Sequence, residues 1–150
     1  MTTNYCYTGP RTISYEQGLK IEQKLAEGLG ESWHVGDAAG ADAVVRRYLE
    51  SCGLPVKLYR AEGKQPWQLA QRSKAMVDGC AKLGNAKLIA YPNKPCPAGV
   101  KPGKNFAGKG SGTWGTIAYA KYLGLEIEIC WLMPGLTEPD WLKQEQLSLW

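Results

Sequence analysis

Short apolar runs alternate along the chain with longer segments in which apolar residues recur every three or four positions. The short runs contain many β-branched and aromatic residues, a composition typical of strands. We predict strands over residues 5–8, 33–36, 56–60, 87–91 and 126–131. The longer segments are typical of amphipathic helices, which we predict over residues 14–29, 41–52, 67–78 and 113–123.

The alternation of strand and helix determines the expected fold class. Such units join parallel strands by right-handed crossovers, and their helices cover both faces of the sheet. A chain of 150 residues is the size of one ordinary domain. We therefore predict a single α/β domain: a Rossmann-like three-layer sandwich with a mostly parallel sheet of about five strands. Its core spans residues 5–131, and its apolar tail, residues 132–150, is expected to pack on the domain or to contact a second subunit.

Two helix ends carry recognisable signals. Ser14 is followed three residues later by Gln17, which is the capping-box pattern of a helix N-terminus. Gly53 follows the second predicted helix and is the residue type that most often ends a helix in the left-handed conformation.

The composition is that of a globular protein. With 44% hydrophobic and 21% charged residues, it excludes disordered and fibrous classes. The longest uncharged apolar stretch near the end is shorter than the roughly 20 residues that span a bilayer, and the start lacks the features of a signal peptide. We expect a cytoplasmic protein with no membrane partner. The five cysteines form no CxxC pair and His34 is the single histidine, so we predict no metal site and no cofactor.

The distribution of charge indicates an anionic partner. The net charge is +4, and no acidic residue occurs from position 79 to position 125. The lysines in this interval are Lys82, Lys87, Lys94, Lys101, Lys104, Lys109 and Lys121. Either the phosphate of a small ligand or a nucleic-acid backbone would suit such a stretch. Residues 92–112 also form a long, aperiodic loop rich in proline and glycine, a kind of loop that is usually functional or disordered.

Three glycine-bearing turns follow predicted strands, at the edge where parallel α/β sheets bind ligands. Residues 110–116, Gly-Ser-Gly-Thr-Trp-Gly-Thr, precede the fourth helix, where glycines allow close approach of a phosphate and helix N–H groups stabilise the anion. The turn 36–42 opens the second helix, and Asp42 either stabilises that helix end or contacts a ligand. Gly9-Pro10-Arg11 directs an arginine to the same edge, and arginine suits phosphate recognition.

These turns, in this order, resemble the SLOG superfamily, the Rossmannoid group that includes the LOG phosphoribohydrolases and the DNA-processing protein DprA. The resemblance covers about residues 5–131 and is greatest to small stand-alone members of the YspA type. Gly9-Pro10-Arg11 resembles the Gly-x-Arg turn of the family, and residues 36–42 resemble its Gly-Gly-Ala-x-Gly-x-Asp turn with Asp37 in place of a glycine. Arg72 to Met76 is similar to its Arg-x-x-x-Met helix. Residues 112–116 look like its Gly-Gly-x-Gly-Thr phosphate loop with one glycine replaced.

The resemblance implies a set of ligand-binding residues, and relatives of this kind commonly form dimers. In LOG enzymes the phosphate loop leads to a glutamate that serves the hydrolysis of an N-glycosidic bond, but the corresponding residue here is Tyr119. The catalytic residues, if any, stay unknown, and that hydrolysis is disfavoured. The candidate ligand-binding residues are Gly9, Arg11, Gly36, Asp37, Gly40, Asp42, Arg72, Gly110, Ser111, Gly112, Thr113, Gly115 and Thr116.

Three functions stay open at this stage. The first is binding of a nucleotide or nucleotide-derived small molecule, for example by a sensor. The second is a nucleoside-monophosphate phosphoribohydrolase in which Asp37, Asp42 or Glu62 approaches the ligand from a neighbouring loop. The third is DprA-like binding of single-stranded nucleic acid, which is less favoured because Phe106 is the only aromatic residue from 92 to 109.

Overall fold

The computed structural model describes residues 3–27, 30–105 and 111–143. The strands are β1 (Asn4–Thr8), β2 (Ser32–Gly36), β3 (Val56–Tyr59), β4 (Ala86–Ala90) and β5 (Glu126–Ile129). The helices are α1 (Tyr15–Leu25), α2 (Ala41–Ser51), α3 (Pro66–Ala81) and α4 (Gly112–Leu123), and a short 3-10 helix spans Asp140–Leu142. Within these ranges no helix combines the length and the apolar character needed to cross a membrane.

The five strands form one sheet in the order β3-β2-β1-β4-β5, and every pair of neighbours is parallel. Helices α1 and α2 pack together on one face, and α3 and α4 pack together on the other. The predicted Rossmann-like α/β sandwich is confirmed. The sequence did not predict the order of the strands, which puts β1 at the centre of the sheet.

Alternate side chains of the central strands fill two separate cores, because successive residues of a strand point to opposite faces. Cys6 and Leu88 face α3 and α4, whereas Tyr7 and Ile89 face α1 and α2. All four side chains are buried. The β1–β4 pair is therefore held by apolar packing from both sides, which makes it a rigid platform for the turns that follow these strands.

The element boundaries agree with the predictions to within a few residues. Helix α1 has the predicted capping box, in which the Gln17 N–H donates to Ser14 Oγ and the Ser14 N–H to Gln17 Oε1. The last helical residue of α1 is Leu25, whereas the sequence predicted an end at residue 29. Residue 29 lies outside the described residues. Helix α3 extends three residues past its predicted end, and β5 ends two residues early, after which Leu132 N–H donates to the carbonyl of Pro92 at 3.0 Å.

A cluster of tryptophans holds the first part of the proline-rich segment against the core. Trp114, which is fully buried, donates from Nε1 to the carbonyl of Lys94 at 2.9 Å. Trp141 donates from Nε1 to the carbonyl of Val100 at 3.1 Å, and its ring meets that of Trp114 edge-on. Leu142, beside it, is buried in the core. Residues 92–105 and the 3-10 helix are thus fastened to the start of α4.

Candidate functional site

A cleft of about 960 Å³ lies at the carboxyl ends of the strands. It opens where the loops after β1 and β4 diverge, because β1 continues towards β2 on one side and β4 towards β5 on the other. In open parallel sheets this is the place where ligands bind. The residues that line it come from the turns after β1 and β2, the start of α3, residues 92–94 and the start of α4.

The start of α4 opens onto this cleft through Ser111, Gly112 and Thr113. Ser111 is the N-cap residue: its Oγ accepts from the Trp114 N–H at 3.2 Å, and its carbonyl accepts from the Gly115 N–H at 3.1 Å. The N–H groups of Gly112 and Thr113 precede these bonds and have no partner within the helix. A Cβ placed on Gly112 would meet no described atom within 4 Å. Gly112 therefore faces open space among the described residues, whereas Ser111 and Thr113 beside it are buried and Gly110 lies outside the described residues.

Two of the predicted glycines allow the first two turns to touch. A Cβ on Gly9 would lie 2.5 Å from the Cβ of Ala41, and one on Gly40 would lie 2.5 Å from the carbonyl oxygens of Pro10 and Arg11. The Ala41 N–H also donates to the Pro10 carbonyl at 3.0 Å. Gly40 has a φ of +71°, a conformation that favours glycine. These glycines hold the β1 turn against the start of α2, so that Arg11 is carried to the cleft.

The Asp42 carboxylate and the Arg72 guanidinium of α3 meet beside the turn after β2, on the floor of the cleft. A Cβ on Gly36 would lie 2.8 Å from Asp42 Oδ2 and 3.0 Å from Arg72 Nε. Both side chains line the cleft, and a larger residue at position 36 would displace them. Arg46 closes the turn from behind, donating to the carbonyls of Gly36 and Ala38 at 2.7 and 2.9 Å.

Asp42 is a buried carboxyl group, with an exposed fraction of 6%. Burial raises the pKa of Asp42 to about 6, although Arg72 and Arg46 act in the opposite direction. Among the described residues that line the cleft it is the only acidic one. A carboxyl group that titrates near neutral pH at the floor of a cleft is typical of functional sites, although buried ion networks also have such groups.

Asp37 holds Arg72 in place instead of lining the cleft. Its Oδ1 accepts from Arg72 Nη1 at 3.0 Å, and its Oδ2 accepts from the Ala61 N–H at 3.1 Å. Burial acts to raise the pKa of Asp37, but the hydrogen bonds from Arg72 and Ala61 outweigh it and leave this pKa below its usual value. The residue that replaces a glycine of the SLOG pattern therefore fixes the orientation of an arginine on α3.

The structure brings most of the predicted site residues to the cleft. Those that line it are Gly9, Arg11, Gly36, Asp42, Arg72, Ser111, Gly112 and Thr113. Those that do not are Asp37, Gly40, Gly115 and Thr116. Thr116 is buried and donates from Oγ1 to the Gly112 carbonyl at 2.8 Å, so its hydroxyl is bonded within the first turn of α4. Tyr119 donates from its hydroxyl to Asp78 on α3 at 2.6 Å and does not line the cleft either.

Among the candidate ligand-binding residues predicted from the sequence, Arg72 was the only one on α3 and none lay in residues 92–94. Lys64, Trp67, Ser73, Asn93 and Lys94 all line the cleft. A signal was present for α3, since residues 66, 69, 70, 73 and 76 recur at helical spacing and share one face. No signal in the sequence indicated that this face turns towards the ends of β1 and β4, because that depends on the strand order.

The structure contains no evident metal site among residues 3–27, 30–105 and 111–143, where no three histidine, cysteine, aspartate or glutamate side chains cluster suitably. His34 is buried, and its ring nitrogens lie 2.8 Å from Ser32 Oγ and 2.9 Å from the Tyr59 hydroxyl. Its polar atoms are thus satisfied within the core.

Substitution of Gly40 by alanine should destabilise the fold more than a matched substitution elsewhere. The new Cβ would meet the backbone of Pro10 and Arg11, at a cost in the free energy of unfolding of about 3 kcal/mol or more. Gly53 has a similar φ of +74° but open space around it, so Gly53→Ala should cost only about 1–2 kcal/mol. Urea denaturation of both variants measures the difference, and equal losses would contradict the close contact.

Substitution of Asp42 by asparagine should change stability in a pH-dependent way. Because the pKa of Asp42 is raised in the folded state, its ionisation opposes folding, and wild-type stability falls as pH rises from about 4 through about 6. Relative to wild type, Asp42→Asn should therefore gain about 1–3 kcal/mol between pH 4.5 and pH 7.5. Urea denaturation at both pH values measures this gain. A difference between the two proteins that does not vary with pH would contradict the buried, titrating carboxyl group.

Comparison with known proteins finds no matching family model, no matching curated protein and no matching solved structure.

Proposed function

We propose that the cleft binds the phosphate of a nucleotide or nucleotide-derived ligand at the start of α4, in the role of a binding or sensor domain. The observation that carries this proposal is that Ser111, Gly112 and Thr113 line the same cleft as the turns after β1 and β2. The first N–H groups of a helix and its dipole favour an anion. The open space at Gly112 leaves room for a phosphate to approach the backbone.

The charges of the cleft support an anionic ligand. Arg11, Lys64 and Lys94 are exposed residues that line it, and Arg72 lies on its floor beside Asp42. The described lining of the cleft therefore has four cationic side chains and one carboxylate. Since Asp37 fixes Arg72, this guanidinium is pre-organised, which lowers the entropic cost of binding a phosphate oxygen.

The volume of the cleft also suits a ligand of this class. Small-molecule sites usually measure about 300–1,000 Å³. A volume of about 960 Å³ is large for a free phosphate ion and leaves room for the sugar and base of a nucleotide. Asp42 lies where a carboxylate can accept a hydrogen bond from a sugar hydroxyl.

Substitution of Gly112 by glutamate should weaken binding without unfolding the protein. The side chain has room, and a carboxylate at a helix N-terminus stabilises the helix, but it would occupy the proposed phosphate position. The like charges should weaken binding of AMP, ADP or ADP-ribose by at least about tenfold, as measured by calorimetry.

Two variants control for size and for charge. Gly112→Gln has the same size without the charge and should weaken binding less than Gly112→Glu. Gly99→Glu adds the same charge at another position with open space, outside the cleft lining, and should bind as wild type does. If wild type binds none of these nucleotides, or if Gly112→Glu binds them unchanged, the proposed function is wrong.

The titration of Asp42 favours a second candidate function, the hydrolysis of a nucleoside monophosphate. In that reaction water attacks the anomeric carbon as the N-glycosidic bond breaks, and one proton of the water passes to Asp42. The leaving base takes up a proton from solvent, and Asp42 then releases its proton to solvent. A carboxylate is the usual group for such an oxocarbenium-like step. A pKa of about 6 suits a general base at neutral pH.

Incubation with nucleoside monophosphates, followed by chromatography of the free base, tests this second function. Asp42→Asn should reduce base release at least about a hundredfold. Asp140→Asn, which changes an exposed carboxylate outside the cleft, should leave the rate unchanged. Absence of base release from wild type would reject the hydrolase and leave the binding proposal intact.

A further inference from the structure

An exposed tryptophan lines the cleft at the start of α3. Trp67 is 60% exposed, and it is the only exposed tryptophan among those that the structure describes. Trp33 and Trp114 are buried, and Trp131 and Trp141 are partly buried. Since tryptophan is highly buried on average, an indole ring left in contact with solvent on the wall of a cleft indicates a surface that a ligand can cover.

The α3 residues that line the cleft beside Trp67 are mostly apolar. The apolar ones are Pro66, Leu69, Ala70 and Met76, and the polar ones are Arg72 and Ser73. The lining also includes the helix start at Ser111 to Thr113 and the cationic turn after β1. The cleft thus combines an apolar, aromatic surface with hydrogen-bond donors and positive charge, a combination that matches a ligand with a flat apolar end and an anionic end.

The backbone around Trp67 is held by a regular helix start. Pro66 occupies the first helical position, where its fixed φ favours the helix. The Gln65 N–H donates to Gln68 Oε1 at 3.1 Å, and the Gln65 carbonyl accepts from the N–H groups of Gln68 and Leu69 at 2.9 and 3.1 Å. The indole ring is therefore presented by a capped helix instead of a loop, which reduces the entropy lost when a ligand covers it.

We propose that Trp67 stacks on the aromatic base of the ligand while the start of α4 binds its phosphate. This inference rests on the proposed function and makes it more specific: the ligand is a nucleoside phosphate, recognised through its base, and a sugar phosphate without a base is bound more weakly. Every nucleobase has a π-face, so stacking on an indole ring confers affinity for bases in general. Trp67 then acts as a binding residue and takes no part in proton transfer.

Calorimetry with two probes that share the same phosphate end tests the inference. Wild type should bind AMP more tightly than ribose 5-phosphate. Trp67→Ala should weaken AMP binding by roughly ten- to a hundredfold and leave ribose 5-phosphate binding unchanged. Trp67→Phe, which keeps an aromatic face, should retain most of the affinity for AMP. Tyr15→Ala removes an exposed aromatic residue outside the cleft and should bind both probes as wild type does.

Tryptophan fluorescence gives an independent readout. AMP should quench the emission of wild type but not that of Trp67→Phe, and ribose 5-phosphate should quench neither. If AMP binds to Trp67→Ala as tightly as to wild type, the stacking role is wrong and the phosphate site stands. If Trp67→Ala weakens both probes equally, Trp67 only shapes the cleft and the inference is likewise overturned. If wild type binds neither probe, the inference is overturned, and the proposed function fails with it only when ADP and ADP-ribose are not bound either.

Discussion

The cleft exists because β1 lies between β2 and β4 in an all-parallel sheet. The crossovers from β1 to β2 and from β4 to β5 leave the sheet in opposite directions, and they cannot fill the space above the two central strands. The turns that border this space must then approach one another closely, which Gly9 and Gly40 permit. Packing from both cores keeps β1 and β4 rigid beneath it. Each feature of the candidate site depends on this topological constraint.

The two carboxylates near the turn after β2 differ in their electrostatic surroundings. Asp42 is kept from water, and the balance between its burial and the nearby arginines leaves its pKa close to neutral pH. Asp37 instead forms a direct ion pair with Arg72, and its pKa is lowered. Two carboxylates in one turn thus have different roles because one is desolvated and the other is hydrogen bonded. Asp42 lines the cleft, whereas Asp37 is bonded to Arg72. Asp42 is therefore the carboxylate of this turn that can bind or react with a ligand.

The start of α4 is held in place by the packing of Trp114. Trp114 is fully buried, and its indole N–H is bonded to the segment after β4. Trp131 and Trp141 pack around it with ring centroids 5.9 and 6.4 Å away. Trp114 and Gly112 are two residues apart, so the same turn of helix is fixed in the core by Trp114 and open to solvent at Gly112. Backbone donors held in this way can bind an anion with little reorganisation.

The pattern of apolar residues by itself determined the elements and the fold class, because strand and helix periodicities are local properties of the chain. Local signals also singled out Ser111, Gly112 and Thr113 as candidates, since a helix that starts after a glycine-rich turn can bind an anion. They could not distinguish the glycines that pack, Gly9 and Gly40, from Gly112, which faces open space, because a glycine needed for close contact and one needed for a ligand look alike in sequence. Only the tertiary structure decided the strand order, the burial of Asp42 and the exposure of Trp67. These depend on which surfaces meet in space, and such contacts join residues far apart in the chain.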